Sequence, residues 1–443
     1  MIVELRQELG PHLSRLRVAV YGSGGAPSHH LALLALWGGN PEVIYADDIR
    51  DGNLSGYDAV IFPGGGLEAM AGQLAPLGTQ GMTALRRWVE AGGTYLGSCA
   101  GSCHPLRMSA AYNEAYPDAA PFQVCDVIPL NAAAGAWGLD SPGTGRLRVA
   151  PGPGPLFEGL TESFEIVHYN GPLFPNKEGS AGRVLGSTAH FTSFEVSQGA
   201  ASGETVLERA FVQGACVAYQ QRVGDGQVIV FGSHPEFGSS PLQLGWLPAA
   251  KLLGNALRLV PLAKESTPSA IFSTLSESSL SAMSRTVAAL ELAFDRAAPL
   301  KNRLPVSTPT FLGLAGEALW DAVLREGAQL TDSLGCWLDV CPAQQRVRGL
   351  HLLDCAPKAG QDVGFMGARQ LLGQALELAQ RAIAPDAKWQ EFAGAYDQLG
   401  SHPFHLLVGS YLSACGFVAA AALQVTAFTT LNSLALPYPV PIS

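Results

Sequence analysis

Through the first 260 residues, short runs of β-branched and other apolar residues alternate with stretches whose apolar positions recur at helical spacing. That alternation predicts a parallel sheet covered by helices on both faces. RVAVY (17–21), EVIYA (42–46), DAVIF (58–62), TYLG (94–97), ACVAYQQ (215–221) and QVIVFG (227–232) are the predicted strands. Asp225 and Gly226 join the last two and suit a tight turn with positive φ, so an antiparallel hairpin and a mixed sheet are expected. Between 113 and 213 the Gly, Pro and Ala content rises and periodicity fades. Irregular insertions and a few antiparallel strands are expected there.

At VPLAKESTPSA (260–270) the texture changes, which divides the chain into an α/β domain over 1–265 and an α-helical domain over 270–443. In the second half, Leu372, Leu376, Ala379 and Ile383 recur at helical spacing and offer an apolar face to core, to a second copy or to a protein partner. From His405 to Leu436 there is no Asp, Glu, Lys or Arg, a length sufficient to span a bilayer. The segment also carries Ser, Gln, Thr and Gly and lacks flanking Lys or Arg clusters, so a helix buried in protein is expected rather than a membrane span.

A chain of 443 residues with 47% hydrophobic positions can build sizeable cores, which accords with two domains. Its formal charge is −10, and no basic cluster interrupts it, which argues against a nucleic-acid partner. The first 20 residues mix charges among apolar positions and show no secretory signal, so a cytoplasmic protein is expected. Eight cysteines form no CxxC pair and no repeated spacing. Reduced thiols, no metal site and no cofactor are the expectation.

Candidate chemistry gathers where the predicted strands end. In open α/β sheets ligands bind at the carboxyl ends of the strands, which brings GSGGAPS, PGGG and GSCAG toward one site. Gly97-Ser98-Cys99-Ala100-Gly101 has the form of a nucleophile elbow, in which small neighbours let the backbone turn sharply and approach a substrate. Unpaired N–H groups at a following helix would favour a thiolate there. His234 directly follows a predicted strand, and Glu236 lies two residues beyond, spaced to accept from the imidazole. Cys99, His234 and Glu236 thus form a candidate nucleophile, base and orienter. Gly64, Gly65 and Gly66 after DAVIF, with the N–H of Ala100, are candidate oxyanion donors. His29, His30, His104 and His168 lack the combination of a strand end and a nearby acid. Cys103, one helical turn beyond Cys99, is read as a packing residue.

With VAVYGSGG, DAVIFPGGG, GSCAGS, HYNGPLF and GSHPEFG in this order, residues 15–260 resemble the class I glutamine amidotransferase-like superfamily, and within it the biotin-protein-ligase N-terminal domain family. The resemblance implies a flavodoxin-like, mostly parallel sheet with helices on both faces, Cys99, His234 and Glu236 as triad, and Gly64 to Gly66 as oxyanion loop. It makes Tyr169 and Asn170 of HYNGPLF candidate pocket-lining residues. Glutamine amidotransferases usually carry glutamine four residues after the nucleophile, where this chain has Cys103. No biotinyl-adenylate loop is present, so biotin transfer is not implied.

Two functions follow as expectations. One is a hydrolase or amidotransferase-like enzyme that attacks an amide C–N bond of a small or peptide-like molecule through an acyl-thioester. The alternative is a non-catalytic ligand-binding or scaffolding module on the same fold.

Overall fold

The computed structural model describes residues 2–25, 27–39, 41–65, 69–132, 139, 144–169, 171–188, 203–237 and 248–262. The expected helical domain over 270–443, including the charge-free segment 405–436, lies outside the described residues. The first part of the chain runs α1 (Ile2–Leu13), β1 (Val18–Tyr21), α2 (Ser28–Leu36), β2 (Glu42–Ile44), α3 (Ala46–Arg50), β3 (Ala59–Phe62), α4 (Ala69–Glu90), β4 (Thr94–Ser98), α5 (Ala100–Cys103) and α6 (Ala110–Ala115). It continues through β5 (Thr144–Ala150), β6 (Phe164–Tyr169), β7 (Ser180–Ser187), α7 (Gly203–Val212), β8 (Cys216–Val223), β9 (Gly226–Phe231) and α8 (Ala249–Arg258).

The fold is mixed α/β. Nine strands form one sheet in the order β2-β1-β3-β4-β9-β8-β7-β5-β6. The first five in that order are parallel, and β8, β7, β5 and β6 continue the sheet in antiparallel pairing. Every residue of β1, β3, β4 and β9 is buried. Alternate side chains feed two cores: Val18, Val20, Ile61, Leu96 and Ile229 pack on one side with Leu9 of α1, Leu31 and Leu34 of α2, and Leu253 of α8. Tyr21, Val60, Phe62, Tyr95 and Val230 pack on the other with Ile49 of α3 and Leu74 and Leu85 of α4. Burial on both faces is why these strands read as continuous apolar runs instead of alternating ones.

The expected strands are all present, with their ends moved by one or two residues. The hairpin turns at Gly224-Asp225, where Gly224 takes φ 60°, and not at Asp225-Gly226, because Gly226 already pairs with Val223. EVIYA stops at Ile44 because the Asp48 carboxylate accepts from the Tyr45 amide at 3.0 Å, which caps α3 and turns the chain. In the segment of fading periodicity, β5, β6 and β7 supply the antiparallel half. Two isolated bridges, Val167 with His234 and Phe174 with Cys216, return β6 to the segment after β9 and the segment after β6 to the start of β8. At the other boundary, α8 packs back on α1: Leu9 fits against Gly254, His12 Nε2 lies 3.1 Å from the Leu257 carbonyl, and Glu8 pairs with Arg258 at 2.9 Å. Among the described residues no helix is long and apolar enough to cross a membrane.

Candidate functional site

Cys99 occupies the turn between β4 and α5 with φ 49° and ψ −114°, and among the described residues it alone has positive φ without being glycine. Such a conformation costs on the order of 1–3 kcal/mol and persists only where the surroundings over-determine it. They do so here. The Cys99 amide donates to the Phe231 carbonyl at 2.9 Å, which ties the elbow to β9. A Cβ on Gly101 would lie 2.2 Å from the Phe62 carbonyl, and one on Gly97 would lie 2.6 Å from the Gly101 carbonyl, so both flanking positions must be glycine for the turn to close. α5 is a single turn of four residues, so any macrodipole at the thiol is small. A thiolate at Cys99 would have to be matched by a side-chain charge.

That charge is within reach. His234 and Glu236 follow β9, the neighbour of β4, and are buried at 4% and 2% exposure. His234 Nδ1 lies 2.7 Å from Glu236 Oε1. A carboxylate only accepts, so this contact assigns a proton to Nδ1. Burial alone would pull the imidazole pKa down, but the Glu236 carboxylate and the Cys99 sulfur outweigh it and hold His234 up, at about 10. Burial alone would push Glu236 up, but His30 and His234 outweigh it and hold the carboxyl down, at about 2. An imidazolium matched by a carboxylate is the state these groups favour.

In the present conformation Cys99 Sγ donates to the Tyr169 carbonyl at 3.0 Å, and His234 Nε2 makes no hydrogen bond to the described residues. The two side chains are nevertheless adjacent. A Cβ on Gly64 would meet His234 Cε1 at 2.8 Å and Cys99 Cβ at 3.6 Å, so Gly64 sits against both. Gly65 bridges to Gly25 in the loop after β1, which joins the two glycine-rich loops. Ala100 is the first residue of α5, and its N–H has no acceptor within the helix. Gly66 and Asn170 lie outside the described residues.

Tyr169 reaches the site through its backbone: its carbonyl accepts a hydrogen bond from the thiol, while its ring stands edge-on to His234 with centroids 6.4 Å apart. On the other side Phe237 stacks on the imidazole at 4.3 Å and 5°, and His29 packs edge-on to Phe237. Aromatic faces are attracted to an imidazolium, which adds to the preference for charge on His234.

Several participants carry no sequence signal. Gln73 in α4 is fully buried and donates to the carbonyls of Pro63 (2.9 Å) and Gly64 (3.2 Å), which fixes the PGGG loop. Its own side-chain oxygen is 2.8 Å from His104 Nε2, and its carbonyl accepts from Tyr21 at 2.9 Å. Burial holds His104 at about 4, so it donates as a neutral imidazole. Asn131 bridges the Gly171 carbonyl (3.1 Å) and the Leu173 amide (2.9 Å), which fixes the segment packed on the Cys99 backbone. The helical periodicity of α4 shows Gln73 only as a polar residue, and nothing in it announces a loop anchor. Cys103 is 1% exposed, burial pushes its thiol well up, and its Sγ faces the Cys99 carbonyl at 3.7 Å, a packing role. Among the described residues no cluster of His, Cys, Asp or Glu could hold a metal. A cavity of about 630 Å³ lined by Pro155, Lys177, Ser180, Tyr219 and Arg222 is touched by none of Cys99, His234 and Glu236.

No family model matches the chain, and no curated protein matches it significantly. Among solved structures, a cytoplasmic protein from Salmonella typhimurium aligns with 55% of this chain and 99% of its own, at 14% identity and a TM-score of 0.35. A likeness that loose carries no argument about activity.

Proposed function

We propose that the chain is a cytoplasmic cysteine-nucleophile hydrolase or amidotransferase-like enzyme that cleaves an amide C–N bond of a small or peptide-like substrate through an acyl-thioester. The observation that carries this reading is the buried His234–Glu236 pair set beside a cysteine in a strained elbow. The parallel strand order β2-β1-β3-β4-β9 fits a flavodoxin-like sheet of the amidotransferase-like kind, with the site at the carboxyl ends of its strands.

The chemistry uses only the residues described. Sγ turns from the Tyr169 carbonyl to His234, loses its proton to solvent and pairs as a thiolate with the imidazolium, whose Nδ1–H remains on Glu236. The thiolate attacks the amide carbon, and the oxyanion is met by the N–H of Ala100 and the loop at Gly64 and Gly65. The imidazolium gives its proton to the departing nitrogen as the C–N bond breaks, leaving an acyl-thioester on Cys99. Water, or an acceptor amine, then loses a proton to His234 and attacks the thioester, and the thiolate–imidazolium pair is restored.

A panel of small anilides offered to the full-length protein, with hydroxylamine present to trap any acyl-thioester as hydroxamate, tests the reading. Hydroxamate that disappears in Cys99→Ala supports it. Absence of acyl transfer, together with alkylation of Cys99 no faster than that of the other thiols, sinks it. The binding-module reading is favoured by the Cys99 thiol donating to a backbone carbonyl at only 7% exposure. It would be upheld by ligand-induced stabilisation without turnover.

A further inference from the structure

We propose that His30 is a positioning residue that holds the second oxygen of Glu236 and thereby sets the alignment of His234. This rests on the reading of Cys99, His234 and Glu236 as a triad. His30 lies in the first turn of α2, beyond the loop that follows β1, with no exposed surface. Its Nε2 is 3.7 Å from Glu236 Oε2 and 3.2 Å from Ser98 Oγ, the side chain immediately before the nucleophile. Oε1 of the same carboxylate is already used by His234, and Oε2 makes no hydrogen bond to the described residues.

A buried carboxylate oxygen without a donor is costly, so a donor close to it decides where it rests. Ionised Glu236 can only accept, which places the His30 proton on Nε2, facing both Glu236 and Ser98. The titratable groups facing His30 are Glu236 and His234. Burial lowers the His30 pKa despite Glu236, so at neutral pH it acts through the Nε2–H dipole and not through a full charge. Two imidazoles then face one carboxylate, one at each oxygen. His234 is the one that reaches the nucleophile, and His30 keeps the carboxylate from turning away. Through Ser98 the same ring also contacts the strand end on which the elbow is built.

The test compares full-length wild type with His30→Gln, which returns a donor near the Nε2 position, and with His30→Leu and His30→Asn, which do not. Two readouts apply: the pH profile of Cys99 alkylation by iodoacetamide, followed by peptide mass spectrometry, and the titration of His234 in histidine-labelled protein by nitrogen-15 NMR. With thermal melting confirming a folded chain, His30→Leu should slow alkylation near neutral pH about tenfold and lower the His234 titration by about one pH unit. His30→Gln should restore both to within about twofold and a few tenths of a unit. In a Glu236→Gln background, His30→Leu should change the rate by less than about twofold, because its route to the site has been removed. An unchanged or raised His234 titration, or the same loss in both backgrounds, overturns the proposal. Should His30→Leu fail to fold, His30→Asn against His30→Gln makes the same decision. If Cys99 proves no more reactive than other thiols, the triad reading falls, while the His234 titration still decides the role of His30.

Discussion

His234 and Glu236 are two residues apart in sequence and 2.7 Å apart in space, so the orientation of the imidazole is fixed by the chain segment that carries it. Nε2 on the opposite edge of the ring has no hydrogen-bond partner among the described residues. Local pairing on one edge leaves the other edge of the ring free to exchange a proton, as the proposed acid–base role requires.

Glu236→Gln should lower stability by on the order of 3 kcal/mol, because His234 is left buried without its counter-charge. Its titration should move down from the raised position it holds in the wild type. Urea unfolding near pH 6 and NMR titration of His234 measure the two effects. Wild-type stability together with an unmoved titration would show that the pair is not electrostatically coupled.

The same pair gives stability a defined pH window. His234 is raised from 6.5 to about 10, so its contribution is complete below pH 6.5 and is lost as pH rises toward 10. Glu236 is lowered from 4.5 to about 2, so its contribution is complete above pH 4.5 and is lost as pH falls toward 2. Maximal stability from the pair is expected between pH 4.5 and 6.5. Denaturant midpoints should decline on both flanks of that window, and both declines should shrink in the double variant Glu236→Gln, His234→Gln.

Gly64→Ala places a methyl group 2.8 Å from His234 Cε1. The imidazole must shift, at a cost of about 1–3 kcal/mol in stability. Alkylation of Cys99 should fall by roughly tenfold or more, since small displacements of a catalytic group are expensive in rate. Alkylation kinetics alongside thermal melting check this, and wild-type reactivity would remove Gly64 from the site.

Gln73→Leu removes both anchors of the PGGG loop and leaves His104 without its acceptor. A loss of about 2 kcal/mol is expected from the unpaired buried groups. Amide exchange should increase at Gly64 and Gly65 more than in the strands, and uniform exchange would show that Gln73 supports the core rather than the loop.

Cys103 is buried and its thiol is pushed up, so it should stay unlabelled in the native protein under conditions that label Cys99. Peptide mapping after brief exposure to iodoacetamide measures the ratio. Comparable labelling of the two would mean that the helix of α5 opens on the timescale of the reaction.

The sequence alone determined the parts of this protein whose cause is local. Strands buried on both faces leave unbroken apolar runs, which is why β1, β3, β4 and β9 were legible. The elbow was legible because a sharp turn at Cys99 admits only glycine at Gly97 and Gly101, and the His234–Glu236 pair because both partners lie on one short segment. The tertiary structure alone decided which other groups serve those residues. The Tyr169 carbonyl meets Cys99 Sγ only because the end of β6 folds back to His234, a bridge between residues remote in sequence. Gln73 and His30 sit in helices, where periodicity distinguishes buried from exposed but not what a buried polar side chain faces. In sequence His30 has no acid nearby, and the acid it meets in space is Glu236, delivered from the end of β9 across the sheet. A hydrogen bond between distant segments depends on the angle at which elements pack, and no local pattern of residues encodes that angle.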